Sequence, residues 1–425
     1  MDEKNVIVDL SEKVFAKFDE QLKIYAEQSN YDLLTLSSGV PGLILLSSEL
    51  KSLTNERRYS TRIDKYINFM VKQMREYGAL SDSLFSGVSG IGISLLHLIE
   101  EHPQYNNLLI SFNNYIEYYT LNKIENIDIK KISPTDYDII EGVSGVLVYL
   151  LVQENGRNDY VISRIVNFLS EFSLKNSILT GFYVESNNQM SETESRLYPL
   201  GCLNFGLAHG LAGVGIMLSY SKLKGYFNEK SIAAIKKIIA LYEKYELKNY
   251  MWKEGLSDIE LNKSEKNDPY YEFIRDAWCY GSPGISLLYL YSSLALDDKK
   301  LKSKACNILK ESIKRSNGLE QSILCHGLSG VIEICLFFKK IYKTNDFDDC
   351  IRFLKRKLVS DFREELTYGF NTTAEFESIE VKDNLGFLDG IIGILLTMIS
   401  LNNLKNTTHW EKALLLFDDV MREVD

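Results

Sequence analysis

Ala277-Trp278-Cys279-Tyr280-Gly281-Ser282-Pro283-Gly284-Ile285-Ser286-Leu287-Leu288-Tyr289-Leu290 holds a Gly-x-x-Gly turn that opens an apolar run. The same pattern begins at Gly39, Gly87, Gly142, Gly210, Gly327 and Gly390, making seven copies with Gly281. Self-similarity of this kind announces a repeat architecture. The runs that follow, such as Leu43-Ile44-Leu45-Leu46 and Val146-Leu147-Val148-Tyr149-Leu150-Leu151, fit buried strands or buried helices equally well.

The segments between them decide the matter. Residues 62–76, 106–123, 229–246, 299–315 and 349–364 carry periodic apolar positions in a charged background. In Ile232-Ala233-Ala234-Ile235-Lys236-Lys237-Ile238-Ile239-Ala240-Leu241 the apolar residues recur at spacings of three and four, as in 232, 235, 239 and 234, 238, 241, the stripe of an amphipathic helix. Only six prolines occur, which suits an all-α chain. Each repeat therefore reads as an amphipathic helix, a loop ending in Gly-x-x-Gly, and an apolar helix. Seven such pairs closed on themselves give an α/α toroid, a seven-fold double helical barrel spanning 1–425. An open solenoid is the alternative, but it would expose part of the apolar set. Three stretches break the rhythm: 180–204, 252–276 and 367–386. They are expected to be insertions with some strand character, where binding residues tend to sit.

Apolar residues make up 45% and charged residues 25% of the chain, as in globular proteins, and the net charge of −10 argues against nucleic acid as a main partner. The start, Met1-Asp2-Glu3-Lys4-Asn5, lacks the pattern of a signal peptide, and no apolar run approaches the roughly 20 residues of a membrane span. A cytoplasmic location is expected. The six cysteines then read as core residues, nucleophiles or metal ligands rather than disulfides.

Chemistry sits just before the repeat glycines. Cys279 and Cys325 each lie two residues before a first glycine, and His209 and His326 each lie one before. Asp138 lies four before Gly142, and Arg275 six before Gly281. Equivalent positions of a ring fall on one circle, so these side chains are expected to converge at one end, on copies three to six. Copies one, two and seven carry no such chemistry in this reading. Two cysteines and a histidine in a cytosolic protein point to Zn²⁺, and three ligands leave the fourth tetrahedral position open. The competing reading is ordinary structure. Cys202, Cys306, Cys335 and Cys350 read as core, His209 could be a satisfied core histidine, and Asp138 and Arg275 could be helix-start or ion-pair residues.

At this point the sequence resembles a known family. Ala277-Trp278-Cys279-Tyr280-Gly281, Cys325-His326-Gly327-Leu328-Ser329-Gly330 and Asn204-Phe205-Gly206-Leu207-Ala208-His209-Gly210 look like the signature blocks of the lantibiotic (lanthipeptide) cyclases, and the likeness runs nearly end to end. The length suits the stand-alone type. The resemblance implies an α/α toroid with one zinc held by Cys279, Cys325 and His326. It implies His209, Asp138, Arg275 and Tyr280 as polar residues around the metal, and an SH2-like extension, placed here at about 180–204. The implied reaction adds a peptide cysteine thiol to dehydroalanine or dehydrobutyrine, closing a thioether ring. The implied partners are a dehydrated precursor, leader plus core, and a dehydratase and ABC transporter in a complex at the inner face of the membrane. Ser282 departs from a family member that carries glycine there. Two rivals remain: another thiol-activating zinc toroid of the prenyltransferase kind, and a non-catalytic peptide- or thiol-binding scaffold.

Overall fold

In every copy the first glycine immediately precedes a helix. The seven apolar helices are Val40–Thr54, Val88–Leu96, Val143–Val152, Leu211–Leu223, Ser282–Leu296, Leu328–Tyr342 and Ile391–Asn403. They are seen in a computed structural model that describes residues 3–25, 27–28, 30–78, 81–128, 131–153, 158–175, 181–262, 274–372, 374–376, 379–381, 383–403 and 406–423. Ser282–Leu296 shows why such a run becomes a helix. Its residues are buried almost all round, and Ser286 and Ser293 return their hydroxyls to the carbonyls of Pro283 and Leu290 at 2.6 and 2.7 Å. A helix satisfies its backbone internally, so an apolar run can lie in the core without orphaned amides.

The expected amphipathic helices are Arg58–Tyr77, Asn106–Asn126, Glu229–Lys244, Lys299–Arg315 and Asp348–Ser360. Lys299–Arg315 buries Leu301, Ala305, Ile308, Leu309, Ser312 and Ile313, one stripe, and is capped by Asp298, which accepts from the amides of Lys300 and Leu301. Two further helices of this kind, Glu3–Ile24 and Asp159–Leu174, complete the set among the described residues.

The chain divides into two compact units. The first contains Met1–Phe112, Glu320–Leu336 and Asn345–Leu416. Within it Val40–Thr54 packs against both Val88–Leu96 and Ile391–Asn403. The Ser37 amide donates to the Phe85 carbonyl at 3.1 Å, and the amides of Phe387 and Leu388 donate to the Ser37 carbonyl at 2.7 and 3.3 Å. The last copy is thus bonded to the first. The second unit contains Asn113–Leu319, Phe337–Thr344 and Phe417–Asp425. Within it Leu211–Leu223 packs against both Val143–Val152 and Ser282–Leu296.

Strand character appears in all three interruptions. Cys202–Asn204 pairs antiparallel with Gly255–Ser257, joining the first two, and Val184 bridges to Cys202. Ala374–Phe376 pairs with Ile379–Val381 in the third. Residue 180, residues 263–273 and residues 373, 377, 378 and 382 of the expected insertions lie outside the described residues. Among the described residues no helix is long and apolar enough to cross a membrane.

Gly281 differs from the other first glycines in its backbone, with φ at +91°. A side chain there would also strike the Arg275 carbonyl oxygen. Gly225 also has a positive φ, +90°, but has nothing within 4 Å of the would-be Cβ. Alanine at Gly225 should therefore cost only the backbone strain, about 1–2 kcal/mol. Alanine at Gly281 should add an overpacking penalty of about 1–3 kcal/mol to that. Urea unfolding of the two variants checks the difference; equal losses would show that the Arg275 contact does not matter.

Candidate metal and proton-transfer centre

The loop before each apolar helix follows one rule. Counting back from the first glycine, the third residue is buried in all seven copies: Leu36, Leu84, Ile139, Leu207, Trp278, Leu324 and Phe387. The first residue back is reached by solvent in all seven: Ser38, Ser86, Glu141, His209, Tyr280, His326 and Asp389. Between them lies the residue whose backbone ties one copy to the next. Apolar anchoring at one position and backbone pairing at another fix where the solvent-facing side chain emerges.

In the second unit this frame assembles an acid–base pair. The Ile139 amide donates to the Ala208 carbonyl at 3.0 Å, bringing the third and fourth copies together. His209 Nδ1 then lies 2.6 Å from Asp138 Oδ2. Asp138 is 1% exposed, and its other oxygen accepts from the amides of Glu141 and Gly142, both at 2.7 Å. One carboxylate thus braces the turn before a helix and holds a histidine. Burial alone would lower the His209 pKa, but the Asp138 hydrogen bond and charge outweigh it, and the imidazole is raised above its ordinary value. Its side chain remains 22% exposed.

The fourth and fifth copies are tied through Cys279, whose carbonyl accepts from the amides of Leu207 and Ala208 at 2.8 and 3.2 Å. The Cys279 residue is 5% exposed. Next to it, Tyr280 packs its ring on Gly206 and receives a hydrogen bond from Asn204 Nδ2 at 3.0 Å. The rings of Tyr280 and His209 lie 6.5 Å apart. Burial holds the Tyr280 phenol well above its ordinary pKa, although the Asn204 contact works against it. Asn204, to which the sequence assigned no role, therefore positions Tyr280, and its Oδ1 also accepts from the Gly206 amide at 2.8 Å.

Arg275 and Asp138 do not meet as an ion pair. Both Asp138 oxygens are engaged as described, and the Arg275 charge acts instead on Glu254, opposing the upward pull of burial on that carboxyl. Ser282, the one departure noted in the sequence, has a structural purpose. Its hydroxyl donates to the Tyr250 carbonyl at 2.6 Å and accepts from Arg315 Nη2 at 2.9 Å, while Arg315 forks onto buried Asp276 at 2.9 and 3.2 Å.

In the first unit, the Cys325 amide donates to the Leu388 carbonyl at 3.0 Å, tying the sixth copy to the seventh. Cys325 and His326 are both partly exposed. Copy seven was expected to be without chemistry, yet it places Asp389 at the phase of His326, with Oδ1 at 3.6 Å from His326 Nδ1. Nothing around Asp389 in the sequence singles it out.

Known proteins resemble this chain over nearly its whole length. Residues 32–415 match the family model described as lanthionine synthetase C-like protein. The chain is 45% identical, over 99% of its length and 98% of the relative's, to the nisin biosynthesis protein NisC of Lactococcus lactis subsp. lactis. It is 23% identical to the lacticin 481/lactococcin biosynthesis protein LcnDR2 of the same organism, covering 93% of this chain and 44% of that one. A solved structure of nisin cyclase superposes with a TM-score of 0.88 at 44% identity, covering 99% of both chains. The all-α toroid with a small sheet, read from the repeat, is the fold class of that structure.

Removing the Asp138 charge should lower the His209 pKa. The partner raises the folded value, so the pair's stabilisation is complete below the ordinary imidazole pKa of about 6.5 and fades as pH rises through the raised value. Asp138→Asn should thus lose stability most at neutral and acid pH, with the gap to the native protein narrowing in alkali. NMR titration of the imidazole protons, together with unfolding curves across pH, measures both; an unmoved His209 titration would exclude the coupling.

Proposed function

The chain belongs to the lanthionine synthetase C-like family, and from that premise we propose how its residues carry out the reaction. It is a cyclase that forms lanthionine rings in a dehydrated lantibiotic precursor. Within one peptide, a cysteine thiol adds across the double bond of dehydroalanine or dehydrobutyrine. A C–S bond forms, the π bond is consumed, and Cα gains a proton as the thiol loses one. The observation that carries the mechanism is the His209–Asp138 pair, a partly exposed imidazole held by a buried carboxylate.

Cys279, Cys325 and His326 would hold the metal. Two thiolates and an imidazole suit one Zn²⁺, and three protein ligands leave a position for the substrate. When bound, zinc supplies the acidity that keeps a thiol with an ordinary pKa near 8.5 as its thiolate at neutral pH. With Nδ1 committed to Asp138, His209 offers its other ring nitrogen to the substrate. It serves as the acid that protonates Cα, or as the base that first takes the thiol proton. Asp138 fixes the tautomer and orientation. Tyr280, whose oxygen already accepts from Asn204, keeps its own proton to donate to the enolate oxygen. Arg275 supplies positive charge toward the same developing anion.

The precursor, leader plus core, is the proposed partner. The stretch at about 180–204 is the proposed SH2-like extension and leader-holding surface. The proposed location is cytoplasmic, at the inner face of the membrane with a dehydratase and an ABC transporter.

Zinc-loaded protein incubated with a dehydrated precursor should remove one alkylatable thiol per ring, counted by mass spectrometry; persistence of every thiol would leave only a scaffold. Cys325→Ala should lose bound zinc, and retention of a full equivalent would remove Cys325 from the metal shell. His209→Asn should keep zinc and slow ring closure by about 10²–10⁴-fold.

A further inference from the structure

Asp389 has no place in the reaction as written above, yet its surroundings are unusual for a carboxylate before a helix. Its Oδ1 is buried and has no hydrogen-bond partner. That same oxygen is the atom 3.6 Å from His326 Nδ1, an ion-pair separation just beyond hydrogen-bond range. The position is not left to a loose side chain. The Leu388 carbonyl, one residue earlier, accepts the Cys325 amide at 3.0 Å, so the backbones of Leu388-Asp389 and Cys325-His326 are locked in register. Leu388 is 5% exposed and anchors the carboxylate from within the core. A buried, unpaired carboxylate oxygen is costly, so its retention beside an imidazole calls for a compensating contact.

We propose that Asp389 is a positioning residue for the zinc centre: its Oδ1 accepts the Nδ1 proton of His326, fixing the tautomer and ring orientation and leaving the other ring nitrogen for the metal. Carboxylates in this second layer raise the basicity of an imidazole ligand and cut the entropy of orienting it. Asp389 plays toward His326 the part that Asp138 plays toward His209, from the position one before the glycine instead of four before it.

The inference rests on the zinc reading given above, and the test separates the two. Zinc affinity of the full chain is measured by competition with a chromophoric chelator, without substrate, for the native protein, Asp389→Asn and Asp389→Ala. Losing a second-layer partner typically weakens a metal site 10–100-fold. Asp389→Ala should lie near the upper end, and Asp389→Asn, which keeps an acceptor of the same shape but no charge, at about tenfold. Cobalt substituted for zinc gives a second readout, since a misoriented imidazole shifts its d–d bands even where the metal still binds. Native affinity and native cobalt spectra in both variants would overturn the role of Asp389, and if Asp389→Ala does not fold, the same result in Asp389→Asn alone suffices. A native protein that binds no stoichiometric zinc would instead sink the zinc reading itself.

Discussion

Everything chemical in this molecule hangs on a backbone hydrogen bond made two residues before a repeat glycine. Ser37, Ala208, Cys279, Cys325 and Leu388 each use main-chain N–H or C=O at that position to bind a neighbouring copy. Buried amides and carbonyls must be paired, and these pairs are met by the chain itself rather than by side chains. The side chain at the tie position is therefore free to vary. It is serine, alanine or leucine in some copies and cysteine in two, without any change to the joint. A fold that holds its parts together through main-chain groups can place a thiol at a joint without weakening it.

The two carboxylates illustrate how the same frame is used differently. Asp138 is fully enclosed and divides its oxygens between a helix start and His209. Asp389 stays 26% exposed at its side chain and faces a histidine that follows a cysteine. Asp138 is met by three partners, the amides of Glu141 and Gly142 and the His209 ring. Asp389 has a sparser environment: burial raises its pKa to about 6, against the pull of the Cys325 contact.

Much of this was legible in the sequence because the repeat supplies coordinates. Gly-x-x-Gly before an apolar run marked all seven helix starts, and the shared phase singled out Cys279, Cys325, His326 and His209. What escaped detection depended on partners distant in the chain. Asp389 was not singled out because nothing nearby in sequence marks it as facing His326. Asn204 and Ser282 acquire meaning only through Tyr280 and Arg315, whose positions follow from tertiary packing. The pairing of Cys202–Asn204 with Gly255–Ser257 likewise joins two segments that read as separate interruptions. The backbone donors that engage Asp138 likewise have no sequence signature.

The bond from Phe387 to Ser37 has a consequence for how the chain comes into being. During synthesis the N-terminal segment emerges early, but its Ser37 carbonyl cannot find its partner until almost the whole polypeptide has been made. The contiguous stretch from Asn113 to Leu319 contains its own neighbours and can settle first. The first unit must wait, its apolar helices half-covered, for the closing segment. Contacts of such long range make folding slow and leave apolar surface open to aggregation meanwhile. Truncation anywhere before Leu388 would therefore release not a smaller enzyme but a chain whose beginning has nothing to close against.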